Sequence, residues 1–261
     1  MNYLDLFSGI GGFALAAEWA GITCDNHFNS DIDAYCNSVY QHHYPSSQCL
    51  GDITSIDGNQ LKEQYGSEWI ITGGFPCQDV SSAGKRAGID GARSGLWTHY
   101  ARLISELRPT VCIIENVRGL FNRGFGRVLN DLADCGYDAE WRTLRACDYG
   151  LAHNRQRVWI VAYPTGFRCS ADAEQPQAVG NMGERTQPHG TADWLGVWVA
   201  RQRASTERAL RGQPLVSLRP DGVSDRVAFK CELARVKALG NSICPIIAAD
   251  IFRRVIAAGL L

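Results

Sequence analysis

The chain has 261 residues, 45% of them hydrophobic and 20% charged, and carries a formal net charge of −1. That length buries a full core and leaves room for a smaller second unit, and the composition is that of an ordinary globule. No uninterrupted apolar run approaches a membrane span, no secretory n-region and h-region is present, and the near-neutral balance argues against holding a polyanion by bulk charge.

Met1 leads directly into a strand, Tyr3–Phe7, so the N-terminus is expected to be structural. Phe7-Ser8-Gly9-Ile10-Gly11-Gly12 then turns into a helix predicted over Gly12–Ala20. Glycines there let the backbone turn sharply and approach a ligand. The spacing is not Gly-x-Gly-x-x-Gly, so a pyrophosphate-binding dehydrogenase is a poor match. Cys24–Asn29 reads as a strand and Asp33–His43 as a helix. The apolar run Trp69–Thr72 reads as a buried strand, broken by Gly73, Gly74 and Pro76, and Cys77 follows at its carboxyl end. A glycine-rich, basic stretch runs from Ser81 to Gly95. Leu96–Leu107 is a predicted helix stopped before Pro109. Val111–Ile114 is a strand followed by Glu115-Asn116-Val117, and Arg127–Cys135 is a helix ending at Gly136. Tyr137–Ala146 and Arg157–Tyr163 look like a closing strand pair. This alternation argues an α/β fold with a doubly wound, mostly parallel sheet. From Pro164 to about Asp225 clean periodicity is lost, apart from the apolar patch Trp194–Val199. Ile246–Leu260 is a final helix with Pro245 at its first turn.

Cys77 and Glu115 are the candidate chemical groups. In an open α/β sheet, ligands sit at the carboxyl edge of the strands, and both residues are delivered there. A thiolate is a strong nucleophile and a neighbouring carboxyl a proton donor. Taken singly, each has a bland reading, a small buried hydrophobe for the cysteine and an N-cap or ion-pair acid for the glutamate.

Five segments in order remove that ambiguity. Asp5-Leu6-Phe7-Ser8-Gly9-Ile10-Gly11-Gly12-Phe13, Gly74-Phe75-Pro76-Cys77-Gln78, Glu115-Asn116-Val117, Asn154-Arg155-Gln156-Arg157-Val158 and Ala238-Leu239-Gly240-Asn241-Ser242 together resemble the cytosine-C5 DNA methyltransferases. The resemblance implies an S-adenosylmethionine-dependent methyltransferase fold over 1–163 plus 235–261, with a small, irregular target-recognition region over 164–234. It implies Cys77 as nucleophile at cytosine C6, Glu115 as the acid at N3, Arg157 as partner of the cytosine O2 and Arg155 in support. It places S-adenosylmethionine against Phe7, Gly9, Gly11 and Gly12. Asp31 stands on the ribose, where the family usually has glutamate, Asp52 near the adenine amino group, Ile53 and Leu96 beside the ring, and Asn241 and Ser242 at the amino-acid end. Because the target atom is hidden in a stacked duplex, the base must be flipped out. Lys85, Arg86 and Arg93 in the glycine-rich stretch are the expected phosphate contacts of a lid closing over it. His153 stands where the family often has glutamine. The family's usual Arg-Glu-x-x-Arg-Leu pattern has no clear copy, and Arg219–Arg226 occupies its place.

The implied partners are double-stranded DNA and a cognate restriction endonuclease acting on the same site, with the chain itself a monomer. Residues 1–163 hold 13 Lys+Arg against 18 Asp+Glu and residues 164–261 hold 13 against 9, a polarity that fits DNA gripped by the C-terminal part. Ten cysteines without a Cys-x-x-Cys pair indicate a reducing, cytoplasmic setting and no structural metal. An RNA cytosine methyltransferase of the same fold and a catalytically silent DNA-binding module are the alternatives. A thiol oxidoreductase would need a second cysteine near Cys77.

Overall fold

The computed structural model describes residues 1–76, 95–122, 124–167 and 237–261. Seven strands, β1 (Asn2–Leu6), β2 (Asn26–Ser30), β3 (Gln48–Cys49), β4 (Trp69–Gly73), β5 (Val111–Val117), β6 (Tyr137–Arg145) and β7 (Gln156–Pro164), form one sheet in the order β3-β2-β1-β4-β5-β7-β6. The first five strands in that order run parallel, and β7 is antiparallel to both β5 and β6. The order reverses between β1 and β4, which puts the topological switch point, and so the expected ligand crevice, at their carboxyl ends.

Helices cover both faces because the buried strands are apolar on both. Leu4, Leu6, Ile71, Cys112 and Ile114 point to one face, against α3 (Gly58–Tyr65), α4 (Leu96–Leu107) and α5 (Phe125–Asp134). Tyr3, Ile70, Val111 and Ile113 point to the other, against α1 (Gly12–Trp19), α2 (Ala34–His43) and α6 (Pro245–Ala257). Each fully buried Leu or Ile contributes about 1.5–3 kcal/mol. The C-terminal helix belongs to the same core as the first, for α6 packs on α1 and Arg253 Nη2 donates to the Trp19 carbonyl at 2.8 Å.

The expected strands and helices are present with ends shifted by up to three residues. One strand and one α-helix were not expected. Strand β3 is two exposed residues long, and α3 buries only Gly58 completely. Glu115 does not follow its strand but lies inside it, because pairing with β7 extends the ladder to Val117 opposite Arg157.

One buried polar network lies beneath the switch point. Asp5 in β1 is wholly inaccessible and accepts from Thr72 Oγ1 at 3.0 Å, and Thr72 lies 2.8 Å from the Tyr3 hydroxyl. The Tyr40 hydroxyl is 3.3 Å from Asp5 Oδ2 and 2.7 Å from His27 Nε2. Burial pushes the Asp5 carboxyl well above its ordinary value, the hydroxyl bonds offsetting only part of the cost, and burial pushes the His27 imidazole down to about 4. A carboxyl whose folded pKa is raised adds stability at low pH that is lost as pH rises through that pKa. Asp5→Asn, which keeps the shape without the charge, should therefore flatten the fall in melting temperature as pH is raised from about 4. Thermal melts of both proteins across that range check it.

Candidate functional site

The turn after β1 is held by unusual backbone. Phe7 has φ 53° and Gly9 φ 53°. For Phe7 a left-handed conformation costs about 1–3 kcal/mol, the kind of strain that persists where the surroundings fix it. Its ring stacks on Tyr100 of α4 at 6.4 Å. The turn bounds a cavity of about 640 Å³, a size suited to a nucleoside-sized ligand. Gly9, Gly12 and Ser8 come from the β1 turn, Asp31 and Ile32 from the end of β2, and Asp52 and Ile53 from the short helix Ile53–Ser55. Gly74–Pro76 follow β4, Leu96 opens α4, and Gly240–Ile243 close the far side.

Geometry explains most of these residue types. A Cβ on Gly12 would stand 2.7 Å from Ile243 Cγ1, so glycine lets α1 meet the C-terminal segment. Asp31 Oδ2 accepts from the Gly9 amide at 2.8 Å and Oδ1 from the Asp33 amide at 2.8 Å. Each oxygen keeps a second lone pair for a ligand hydroxyl. Asp52 caps its short helix by accepting from the Thr54 amide at 2.9 Å, and that bond holds its carboxyl below the ordinary range. Ser8 Oγ is buried without a partner among the described residues. Ile32 is 79% exposed on the cavity wall.

The other end of the cavity is built around Glu115. Its carboxylate is buried, with Arg157 Nε 3.0 Å and Arg155 Nη2 3.8 Å from Oε1. Among the described residues Oε1 has no aligned hydrogen bond, so these are ion-pair contacts. Burial raises the Glu115 pKa and the two arginines pull it back, with burial the stronger. Burial likewise pulls Arg157 down. His153 is held below the ordinary imidazole range by burial and by both arginines. A Cβ on Gly74 would come within 3.1 Å of Glu115 Oε2, so the glycine after β4 makes room for the acid. Asn116 Nδ2 donates to the Phe75 carbonyl at 3.2 Å, which ties the end of β5 to the segment that leads to Pro76.

The structure thus brings Phe7, Gly9, Gly12, Asp31, Asp52, Ile53, Leu96, Asn241 and Ser242 to one cavity with Glu115, Arg155 and Arg157. Gly11 is not among the residues that line the cavity. It caps α1 with φ 88°, and a Cβ there would meet Tyr44 and Tyr40 rather than the cavity, so it serves the turn and its packing. Cys77, Lys85, Arg86 and Arg93 lie outside the described residues, as do positions 168–234 of the expected recognition region. Ile32 and Asn116 were not singled out from sequence. An apolar residue between Asp31 and Asp33 was the available signal for the first, and the second stood in the quoted acid motif without a role. All the described cysteines are free, and no described helix is long and apolar enough to cross a membrane.

Comparison with known proteins agrees with this layout. Residues 1–190 match the family described as C-5 cytosine-specific DNA methylase. The Type II methyltransferase M1.ScrFI of Lactococcus lactis subsp. cremoris is 32% identical over 221 residues, covering 80% of this chain and 55% of the relative. M.NlaX of Neisseria lactamica is 31% identical, covering 80% of this chain and 68% of the relative. A DNMT2 crystal structure from Spodoptera frugiperda superposes with a TM-score of 0.64 over 98% of this chain and 99% of that one, at 15% identity, a likeness of fold alone. The chain spans about half the length of most of the curated relatives it matches. With nearly three quarters of its length inside the matched region, and relatives of one kind at about a third identity, this chain belongs to the C-5 cytosine-specific DNA methylase family.

Proposed function

We propose that the protein transfers a methyl group from S-adenosylmethionine to C5 of a cytosine in duplex DNA. One observation carries this reading. A buried acid, Glu115, whose pKa burial raises, shares a nucleoside-sized cavity with the glycine turn and the carboxylates Asp31 and Asp52, and Pro76, immediately before Cys77 in the chain, lines that cavity too.

The pocket fits the cofactor. Two carboxylates, Asp31 and Asp52, suit hydroxyl and amino groups and repel a phosphate, the exposed Ile32 and the buried Ile53 offer apolar cover for a base, and Ser8 Oγ, without a partner among the described residues, offers a polar contact. Phe7, Gly9, Gly12 and Leu96 complete the wall, with Asn241 and Ser242 toward the amino-acid end. When bound, S-adenosylmethionine supplies an electrophilic methyl group on its sulfonium.

The chain's own residues prepare the base. Cys77 gives up its proton and its thiolate bonds to C6, which makes C5 nucleophilic. Neutral Glu115 donates to N3, so negative charge does not build up on the ring, and Arg157 holds the O2. After transfer the C5 proton leaves and the C6–S bond breaks, which restores the aromatic ring and the free thiol. Lys85, Arg86 and Arg93 hold phosphates beside the flipped base. Residues 164–234 read the target sequence, and the rest of the chain forms the catalytic unit. A restriction endonuclease sharing the site is the proposed partner in the cell.

Tritiated S-adenosylmethionine offered with mixed genomic DNA or with total tRNA tests the proposal. Label recovered as 5-methylcytosine in DNA supports it. Label confined to RNA transfers the reading to an RNA methyltransferase, and label in neither contradicts it.

A further inference from the structure

Arg155 makes two contacts in opposite directions. Its Nη1 donates to the Gly240 carbonyl at 2.7 Å, 85 positions away in the chain, and its Nη2 stands 3.8 Å from Glu115 Oε1. Gly240 belongs to the segment that closes the cavity, through Asn241 and Ser242. A second tie holds that segment, for Lys237 Nζ pairs with Asp33 Oδ2 at 3.0 Å beside Asp31. Arg155 thus joins the wall of the cofactor pocket to the acid. At 3.8 Å its charge is too far for a hydrogen bond and near enough to be felt. Freed from Gly240, the guanidinium has the reach and the donor fork to pair fully with the carboxylate.

We propose that Arg155 is a positioning residue coupling cofactor binding to the protonation of Glu115. Its hold on the Gly240 carbonyl keeps its charge at arm's length from the acid, and filling the pocket, which orders Gly240–Ser242, strengthens that hold. The described titratable groups that face Glu115 are Arg155 and Arg157 on the β7 side and Cys244 on the C-terminal segment. Among the hydrogen bonds of the described residues, Arg157 makes none to Gly240–Ser242, its Nη1 donating instead to the Gln156 carbonyl, whereas Arg155 reaches both ends. The inference rests on the cofactor reading above.

Calorimetry in buffers of different ionisation enthalpy tests it with the product S-adenosylhomocysteine, without turnover. Binding to the full chain, measured across a pH series, should be accompanied by net proton uptake that peaks where Glu115 titrates, at about half a proton for a one-unit shift. Arg155→Gln removes the charge. At concentrations that saturate it with S-adenosylhomocysteine it should lose the uptake, as should Glu115→Gln. Arg155→Lys keeps the charge but has no fork to span both contacts, and it too should lose the uptake. Uptake unchanged in Arg155→Gln or Arg155→Lys, or proton release by the parent, overturns the coupling. Failure of the parent to bind S-adenosylhomocysteine at all overturns instead the cofactor reading of the pocket.

Discussion

Glu115→Gln should lower methyl transfer to DNA by about 10²–10⁴-fold while leaving S-adenosylhomocysteine affinity within about threefold. The size follows from the work asked of the acid. Attack on C6 pushes negative charge onto N3, and a glutamine amide donates a hydrogen bond there but cannot hand over a proton. The pH dependence gives a sharper signature. Burial raises the Glu115 pKa against the pull of Arg155 and Arg157, so the neutral acid persists to higher pH than an exposed glutamate would. In the parent, single-turnover rate should fall on the alkaline side as Glu115 loses its proton. In Glu115→Gln that limb, in whatever rate remains, should be absent. Quench-flow rates across pH, with binding measured separately, check both parts.

Gly73→Ala should cost more stability than any other single methyl group added to the sheet. A Cβ at this position would stand 2.6 Å from the Leu6 carbonyl oxygen, 2.9 Å from Tyr100 Cε2 and 3.1 Å from Leu6 Cβ. Leu6 is the register partner of Gly73, so its carbonyl cannot retreat without disturbing the β1–β4 ladder. Overpacking costs about 1–3 kcal/mol even where side chains can give way, and here backbone must move. For a chain of this size, about 3 kcal/mol corresponds to a fall in melting temperature of roughly 6–12 °C. Because Leu6 leads straight into the strained Phe7 turn, S-adenosylhomocysteine binding should weaken in the same variant. Gly126→Ala is the control. Nothing lies within 4 Å of its added Cβ, and it sits in the first turn of α5, so it should be neutral or stabilise by about 0.4–1 kcal/mol. A thermal melt of the two variants beside the parent decides it.

These two predictions draw on parts of the molecule that were unequally legible in the sequence. The strands of the parallel core announced themselves, because Trp69–Gly73 and Val111–Ile114 are buried on both faces and so read as unbroken apolar runs. The turn at Phe7–Gly12 was legible from its glycines, though their separate duties were not. Gly9 faces the cavity and Gly12 admits Ile243, while Gly11 packs toward Tyr40 and Tyr44. Helix α3 was missed because Gly-Asn-Gln-Leu-Lys-Glu-Gln-Tyr offers only Leu61 and Tyr65 to a core, too little for a helical stripe. The end of β5 was misplaced because its last residues gain their partners from β7, some 40 positions on.

The candidate site shows the same division. Acid, arginines and glycines were visible as motifs. The bonds that organise them were not, because they join segments far apart in the chain. Arg155 to Gly240, Asn116 to Phe75 and Gly9 to Asp31 leave no local pattern. Ile32 had a weak local signal, an apolar residue in a polar turn, and its meaning came only from its exposure on the cavity wall.

Covalent capture tests the central claim most directly. A pool of randomised DNA duplexes containing 5-fluorocytosine, incubated with the protein and S-adenosylmethionine, blocks loss of the substituent at C5 and so preserves the C6–S bond. The account predicts a denaturant-resistant protein–DNA complex whose linked peptide, on mass spectrometry, is the one carrying Cys77, and no such complex from Cys77→Ser. Methylation of unmodified DNA by the same preparation without any trapped complex, or a complex linked through another residue, would contradict it.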